Sequence, residues 1–241
     1  MILSPIFFLH GFLGDFNELD SLFKQLPYNV IGLNWMRFVD TKTMYNLADI
    51  AKDICAYIRV LGYSSVMVYG YSMGGRLAMQ CACEDPDLVK VLYLESAHFG
   101  YDNDIQKNKL YQEFISRMKM FNNLSFEQFL GDWYNQDLFK LTKKYLCSSD
   151  IKKKLRLDYV KVRELMTNLH VSKQPYFVTL LGALEVPIYY VAGELDTKYS
   201  NHAIEVSKII TNFNYTIVSN ADHNVHVSNA GGLKKVFLSG F

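Results

Sequence analysis

The chain has little of what would mark a metalloprotein, a disulfide scaffold or a membrane protein. Its four cysteines among 241 residues, Cys55, Cys81, Cys83 and Cys147, show no metal-ligand spacing, and Cys81 and Cys83 stand too close in a helical pattern to form a zinc pair. They read as reduced packing residues, so neither a metal nor a cofactor is expected. No run approaches the ~20 apolar residues that a membrane span needs. The apolar stretch near the amino terminus has no Lys or Arg before it and leads straight into a His-Gly loop, which reads as a core strand rather than a signal peptide. A cytoplasmic setting without membrane insertion is expected. Charge of either sign is also not in excess: 25 Lys and Arg against 24 Asp and Glu give a net charge of +1. That balance argues against nucleic acid or an anionic membrane as the main partner and favours a small molecule. Repeats and low-complexity linkers are lacking too. Half the residues are hydrophobic, enough to bury a sizeable core in one compact unit.

What is present is led by Gly70-Tyr71-Ser72-Met73-Gly74-Gly75-Arg76. It follows the β-branched apolar run Ser65-Val66-Met67-Val68-Tyr69 and opens the helical pattern Leu77-Ala78-Met79. A serine on a tight strand-to-helix turn, with glycines two residues before and after it, is a nucleophile elbow, which stands the hydroxyl up above the sheet. Phe7-Phe8-Leu9-His10-Gly11-Phe12 is a second strand ending in a His-Gly loop. The N–H of Phe12 and that of Met73, the residue after the nucleophile, are the expected oxyanion donors. His10, at the end of a buried strand, is expected to hydrogen-bond the loop backbone rather than act as a base.

In an α/β-hydrolase the acid and then the histidine follow the nucleophile in chain order. The run Val186-Pro187-Ile188-Tyr189-Tyr190-Val191-Ala192-Gly193 reads as a late strand, and Asp196 in the loop leaving it is the expected acid; Glu194 and Glu95 are its competitors. After a last strand, Asn214–Ser219, comes His223, the expected base, with His226 as the alternative. An imidazole there accepts the Ser72 proton on one nitrogen while Asp196 holds the other in the donor tautomer.

Strands and helices alternate up to Glu95 and again from Val186, the pattern of a mostly parallel sheet with helices on both faces. Residues 103–184 instead read as helices over Lys109–Met120, Ser125–Trp133, Ser149–Leu155 and Asp158–Leu169. The expected organisation is an α/β-hydrolase core of residues 1–102 and 185–241 with a helical cap, 103–184, inserted across its catalytic end. The cap carries Lys140, Lys143, Lys144, Lys152, Lys153, Lys154 and Arg156 in one segment. A solvated face accounts for the lysines as a group, whereas Arg156 and Arg163 are better suited to gripping a carboxylate through two parallel hydrogen bonds. Arg76, one helical turn past Ser72, has the same capacity. Trp133 and Tyr134 read on their own as cap core.

Together these segments resemble the 2-succinyl-6-hydroxy-2,4-cyclohexadiene-1-carboxylate synthases, α/β-hydrolase-superfamily enzymes of menaquinone biosynthesis. The resemblance rests on Leu9-His10-Gly11-Phe12, the arginine-bearing elbow, Leu94-Glu95-Ser96-Ala97-His98, Asp132-Trp133-Tyr134 followed by Leu138-Phe139, Gly193-Glu194-Leu195-Asp196-Thr197-Lys198-Tyr199, and His223-Asn224-Val225-His226. It implies a lyase that removes a ring proton from 2-succinyl-5-enolpyruvyl-6-hydroxy-3-cyclohexene-1-carboxylate so that pyruvate is eliminated, with no acyl-enzyme. Ser72, deprotonated by His223 with Asp196 behind it, would be the base. The resemblance further implies that Tyr71, Arg76 and Trp133 line the site of an anionic, polycarboxylate substrate. Two more basic residues are aligned with Lys107 and Arg156, with Lys109 a rival for the first.

Two departures from that family stand out. Gly32-Leu33-Asn34-Trp35-Met36-Arg37-Phe38 replaces its usual Asp-x-Pro-Gly-His-Gly loop, so an altered pocket wall is expected there. The usual first two strands are missing, so the sheet should have about six strands. A triad with an oxyanion hole is generic chemistry, and the alternative reading is a carboxylesterase or acyl thioesterase working through a Ser72 acyl-enzyme, with an acyl carrier protein as a partner for the basic cap. A catalytically silent binding protein is the third reading.

Overall fold

The computed structural model describes residues 5–39, 45–121 and 123–239. Six strands form one sheet in the order β2-β1-β3-β4-β5-β6, every neighbouring pair parallel: β1 (Ile6–Leu9), β2 (Val30–Leu33), β3 (Val66–Tyr71), β4 (Val89–Glu95), β5 (Ile188–Gly193) and β6 (Phe213–Val218). Parallel strands need crossovers that cover both faces, so the inner strands are largely apolar on both sides, whereas the edge strand β6 exposes Asn214 and Tyr215. Side chains alternate accordingly. Phe7 and Leu9 of β1 join Val66 and Val68, Leu92 and Leu94, and Ile188 and Tyr190 on one face. Ile6 and Phe8 join Tyr69, Tyr71, Tyr93 and Val191 on the other. Helices Leu47–Val60 and Met73–Glu84 cover the first face; Leu22, Phe23, Val236 and Phe237, from the helices Asp20–Phe23 and Ala230–Ser239, cover the second.

Between β4 and β5 the chain is helical: Asp104–Phe121, Phe126–Tyr134, Thr142–Tyr145, Ser148–Lys154, Tyr159–Asn168 and Phe177–Gly182. The four expected cap helices are all present. The first begins five residues earlier than its apolar periodicity suggests, because Asn103 accepts the Ile105 and Gln106 N–H groups (2.9 and 3.2 Å) and starts the helix with a polar turn. Met118, Phe129, Leu130, Tyr134, Phe139, Val162 and Met166 form a separate apolar cluster that also takes in Leu13 of the His-Gly loop. Phe177, Val178 and Leu181 belong instead to the sheet's core and pack near the Met73–Glu84 helix, so this last helix of the segment is built into the body rather than the roof.

The altered segment at 32–38 does not shape a pocket wall. Trp35, 1 % exposed, stacks on His10 at 5.1 Å and donates from Nε1 to the His10 carbonyl at 2.8 Å, bracing the His-Gly loop from behind. His10 Nδ1 is 2.9 Å from the Gly11 carbonyl oxygen, the backbone role expected of it. Its burial lowers its pKa, which keeps the ring neutral.

Close backbone approaches fix the catalytic edge. A Cβ on Gly74 would stand 2.0 Å from the Leu9 carbonyl oxygen, and one on Gly193 would stand 2.2 Å from that of Asp222 and 2.4 Å from that of Ala221. Gly193→Ala should therefore cost at least the upper end of the about 1–3 kcal/mol typical of overpacking and displace the loop that carries His223. Urea denaturation reads the first effect, and loss of activity at temperatures where the variant is folded reads the second.

Candidate active site

Ser72 sits between β3 and the helix Met73–Glu84 with φ 50° and ψ −109°. A non-glycine residue there is strained by about 1–3 kcal/mol, and the surroundings hold it in place. The Ser72 N–H donates to the Glu95 carbonyl at 2.8 Å, and Gly70, Gly74 and Gly75 permit contacts that no side chain would allow.

Three loops at the carboxyl ends of the strands converge on the hydroxyl. His223 Nε2 is 3.0 Å from Ser72 Oγ, and His223 Nδ1 is 2.6 Å from Asp196 Oδ2. Asp196 and His223 are 4 % and 2 % exposed. Asp196 Oδ1 accepts the Tyr199 N–H at 3.3 Å, which directs Oδ2 towards the imidazole. Tyr199 lies 4.6 Å, Tyr71 5.6 Å and Phe139 5.8 Å from the His223 ring, restricting its rotation. The geometry can pass the serine proton to the imidazole and hold the resulting imidazolium against a carboxylate. Met73 is the first residue of its helix, so its N–H has no intrahelical acceptor. The Phe12 N–H likewise has no partner among the described residues. Both residues line the same cavity as Ser72.

Neither competing acid nor the second histidine reaches the serine hydroxyl. Glu194 accepts the Asn220 N–H at 3.0 Å at the surface. Glu95, fully buried, accepts the Tyr69 hydroxyl proton, the His226 N–H at 3.1 Å and His226 Nδ1 at 2.9 Å. His226 Nε2 lies 3.6 Å from Glu18 Oε2. Burial opposes charge on His226, but Glu95 and Glu18 outweigh it and push its pKa up to about 10. At neutral pH it is an imidazolium held between two carboxylates and cannot take a proton.

The cavity above Ser72 has a volume of about 1120 Å3. Tyr71, Ser72, Met73, Arg76 and His223 form its floor, Phe12 and Leu13 one side, and Trp133, Tyr134 and other cap residues its roof. Trp133 meets Phe12 edge-on at 4.9 Å. Arg76 is 8 % exposed; Nε donates to the Gln174 side chain and Nη2 to the Leu169 carbonyl. Nη1 has no protein acceptor among the described residues, nor has the guanidinium a carboxylate partner among them. Burial lowers its pKa to about 10, so it remains charged near neutrality. His98 and His170, also on the wall, are pushed down to about 2 and about 4, chiefly by burial, and stay neutral.

Lys107 and Arg156 do not line this cavity. Lys107 pairs with Asp104 at 3.3 Å on the helix Asp104–Phe121, and Arg156 is exposed beyond the end of Ser148–Lys154; the rival Lys109 is exposed as well. Arg163 lies outside it too, its guanidinium 5.0 Å from the Tyr159 ring centre. The cap cation that does turn inward is Lys154. It is half-buried, donates to the Leu13 carbonyl at 2.7 Å and stands 3.9 Å from Glu18 and 5.6 Å from the Tyr134 ring centre. Within a run of three lysines, only helical phase distinguishes the inward one, and without a known facing surface that phase cannot be read. Arg117, Lys153 and Lys198 also line the cavity and are exposed, as are Asp132 and Asp137.

A buried imidazolium has a pH signature. The folded pKa of His226 lies above the ordinary 6.5, so its charge contributes fully to stability below about pH 6.5, and the contribution fades as pH rises through about 10. His226→Gln should be less stable than the parent at pH 6, with the gap closing towards pH 10 in parallel denaturation curves. A gap independent of pH would refute a charged His226.

Among the described residues no helix is long and apolar enough to cross a membrane, and no cluster of three or more His, Cys, Asp or Glu could hold a metal ion. The profile of the alpha/beta hydrolase fold matches residues 4–230. The chain is 26% identical to the 2-succinyl-6-hydroxy-2,4-cyclohexadiene-1-carboxylate synthase of Yersinia enterocolitica, over 96% of this chain and 84% of that one. It is 29% identical to a protein of Haemophilus influenzae named as a putative synthase of the same kind, over 93% and 92%. Among solved structures it superposes on MenH from S. aureus with a TM-score of 0.86 at 22% identity, over 98% of this chain and 92% of that one, and on the epoxide hydrolase CorEH with 0.77 at 16%, over 98% and 90%. Its parallel sheet, its elbow and a profile match over nearly its whole length place the chain in the α/β-hydrolase fold family.

Proposed function

We propose that this protein is a carbon–oxygen lyase that eliminates pyruvate from 2-succinyl-5-enolpyruvyl-6-hydroxy-3-cyclohexene-1-carboxylate, giving 2-succinyl-6-hydroxy-2,4-cyclohexadiene-1-carboxylate in the cytoplasmic synthesis of menaquinone. The near full-length relatives that carry the synthase name support this reading. The observation that carries it is Arg76: a buried guanidinium without a carboxylate partner among the described residues, at the floor of the cavity and one turn from Ser72. Leaving a cation in that state costs stability unless an anion completes it, and a neutral ester would not. Lys154, on the cap side, supplies the second inward charge in the place where Arg156 was expected. A carboxylate bound to each would lay the substrate across the serine.

In the reaction, Ser72 Oγ, having yielded its proton to His223 Nε2, takes the ring proton. The electron pair of the C–H bond at ring C2 becomes the C2=C3 double bond, the existing C3=C4 pair shifts to C4=C5, the C5–O bond to the enolpyruvyl group breaks, and pyruvate leaves as its enolate, which takes up the proton held on His223. Asp196 stabilises the imidazolium throughout. The Phe12 and Met73 N–H groups face the negative charge that develops on the substrate. No bond between Ser72 and substrate is needed.

Pyruvate release from this substrate, measured beside hydrolysis of short acyl esters and thioesters, tests the proposal. Ser72→Ala should abolish pyruvate release. Arg76→Ala should lower kcat/KM by about ten- to hundred-fold, the worth of a charge-assisted hydrogen bond, while leaving hydrolysis of a neutral ester unaffected. Lys107→Ala and Arg156→Ala should stay within about two-fold, as expected of surface positions. Ser72-dependent ester or thioester cleavage without pyruvate release would replace the lyase with a hydrolase, and an acyl carrier protein would then be the partner to examine.

A further inference from the structure

Asp222 immediately precedes His223, is 1 % exposed, and does not touch Ser72, Asp196 or the imidazole through any hydrogen bond. Its carboxylate is nevertheless filled. Oδ2 accepts the N–H groups of Leu141 (2.8 Å) and Thr142 (2.7 Å), and Oδ1 accepts the Thr142 hydroxyl (2.7 Å) and the Asn224 N–H (3.2 Å). Leu141 and Thr142 belong to the helical segment between β4 and β5, some 80 residues away in sequence. The same segment receives one more bond: the His223 N–H donates to the Leu138 carbonyl at 3.2 Å. Between those two anchor points Phe139 lies against the imidazole, 5.8 Å between ring centres. On the other side, the Asp222 N–H donates to the Ser228 hydroxyl at 3.1 Å.

We propose that Asp222 is a positioning residue that staples the His223 loop to the cap segment Leu138–Thr142 and so sets the distance from the imidazole to Ser72. Short hydrogen bonds between a buried carboxylate and backbone N–H groups are among the stronger kinds. Three backbone N–H groups and one hydroxyl meet on this side chain, and three of those four bonds reach across to the cap segment, more than closing a local turn would need. The loop backbone is irregular from Asn220 (φ 54°) to Asn224, and its ties to the sheet, the Leu195 N–H donating to the Ala221 carbonyl (2.9 Å) and the close approach of Gly193 to Ala221 and Asp222, run to the end of β5 and not to the cap. Without the staple the His223 backbone is tied at Leu138 alone among the cap residues. A drift of the order of 1 Å in a catalytic group can cost about a hundred-fold in rate. The inference does not depend on which reaction the site performs, since every use of Ser72 runs through His223.

An aryl or alkyl fluorophosphonate tests it without a substrate. Ser72 Oγ attacks phosphorus, fluoride leaves, and His223 takes the serine proton, so the labelling rate reports the Ser72–His223 geometry directly. Asp222→Ala, compared with the parent at a temperature where thermal melts show both folded, should label about ten- to hundred-fold more slowly. The pH at which its labelling rate is half-maximal should shift as well. Asp222→Asn keeps an oxygen for the Leu141 and Thr142 N–H groups and should recover most of the rate. A lowered melting temperature with parent-like labelling rate and pH profile would make Asp222 structural only and overturn the proposal. Should Asp222→Ala not fold, Thr142→Val removes one of the four bonds and should slow labelling several-fold; an unchanged rate there would equally refute it. Failure of the lyase reading would show instead as normal Ser72 labelling with no pyruvate release.

Discussion

The site depends on how closely the elbow approaches the first strand. Gly74 lies against the Leu9 and His10 carbonyls, and Gly70 against Gly74 and Gly75, so the helix Met73–Glu84 starts almost in contact with the sheet. That proximity forces Ser72 into a strained conformation and at the same time brings the helix's first N–H beside the His-Gly loop. Nucleophile and oxyanion donors thus come from one constraint. The acid and base are then placed by β5 and β6, whose carboxyl ends reach the same edge because the whole sheet is parallel.

The cap does more than roof the cavity. Lys154 bonds the Leu13 carbonyl, in a loop whose own residue has φ 61° and whose side chain is packed in the cap's apolar cluster. Asp222 and the His223 N–H bond the cap on the opposite side. Both the His-Gly loop and the His223 loop are therefore tied to the helical segment that roofs the cavity. A change in cap sequence would be felt in the chemistry as well as in affinity.

How much of this could be read from the sequence follows from the range of each interaction. The elbow, the His-Gly loop, Asp196 and His223 stand at the ends of strands whose apolar runs are local and strong, and the six-stranded parallel sheet follows from the same runs. The cap helices were visible through periodicity and capping residues, as at Ser125 with its capping box. Inward orientation was not. A family pattern points to Lys107 and Arg156, yet which basic residue faces the cavity is decided by the packing of Lys154 on Tyr134 within the cap and on Leu13, 141 residues away in sequence. The pocket wall expected of the 32–38 segment fails for a related reason: the Trp35 indole turns to the back of the His-Gly loop, a contact that lies 25 residues away in sequence.

The choice between the two histidines shows the limit from the other direction. His223 and His226 lie three residues apart with similar burial, and spacing alone gives only a preference. Charge decides. His223 faces one carboxylate and one hydroxyl, leaving Nε2 available to the serine. His226 faces Glu95 and Glu18, which together overcome the penalty of burial and hold it protonated. Its ring meets Tyr71 edge-on at 4.9 Å, directly beside the elbow, so with Lys154, 3.9 Å from Glu18, it offsets the charge of the two acids beside the cavity. Were His226 neutral, one of these two carboxylates would be left without a cation beside it among the described residues. The two histidines thus differ by the carboxylates that face them, which sequence spacing does not encode.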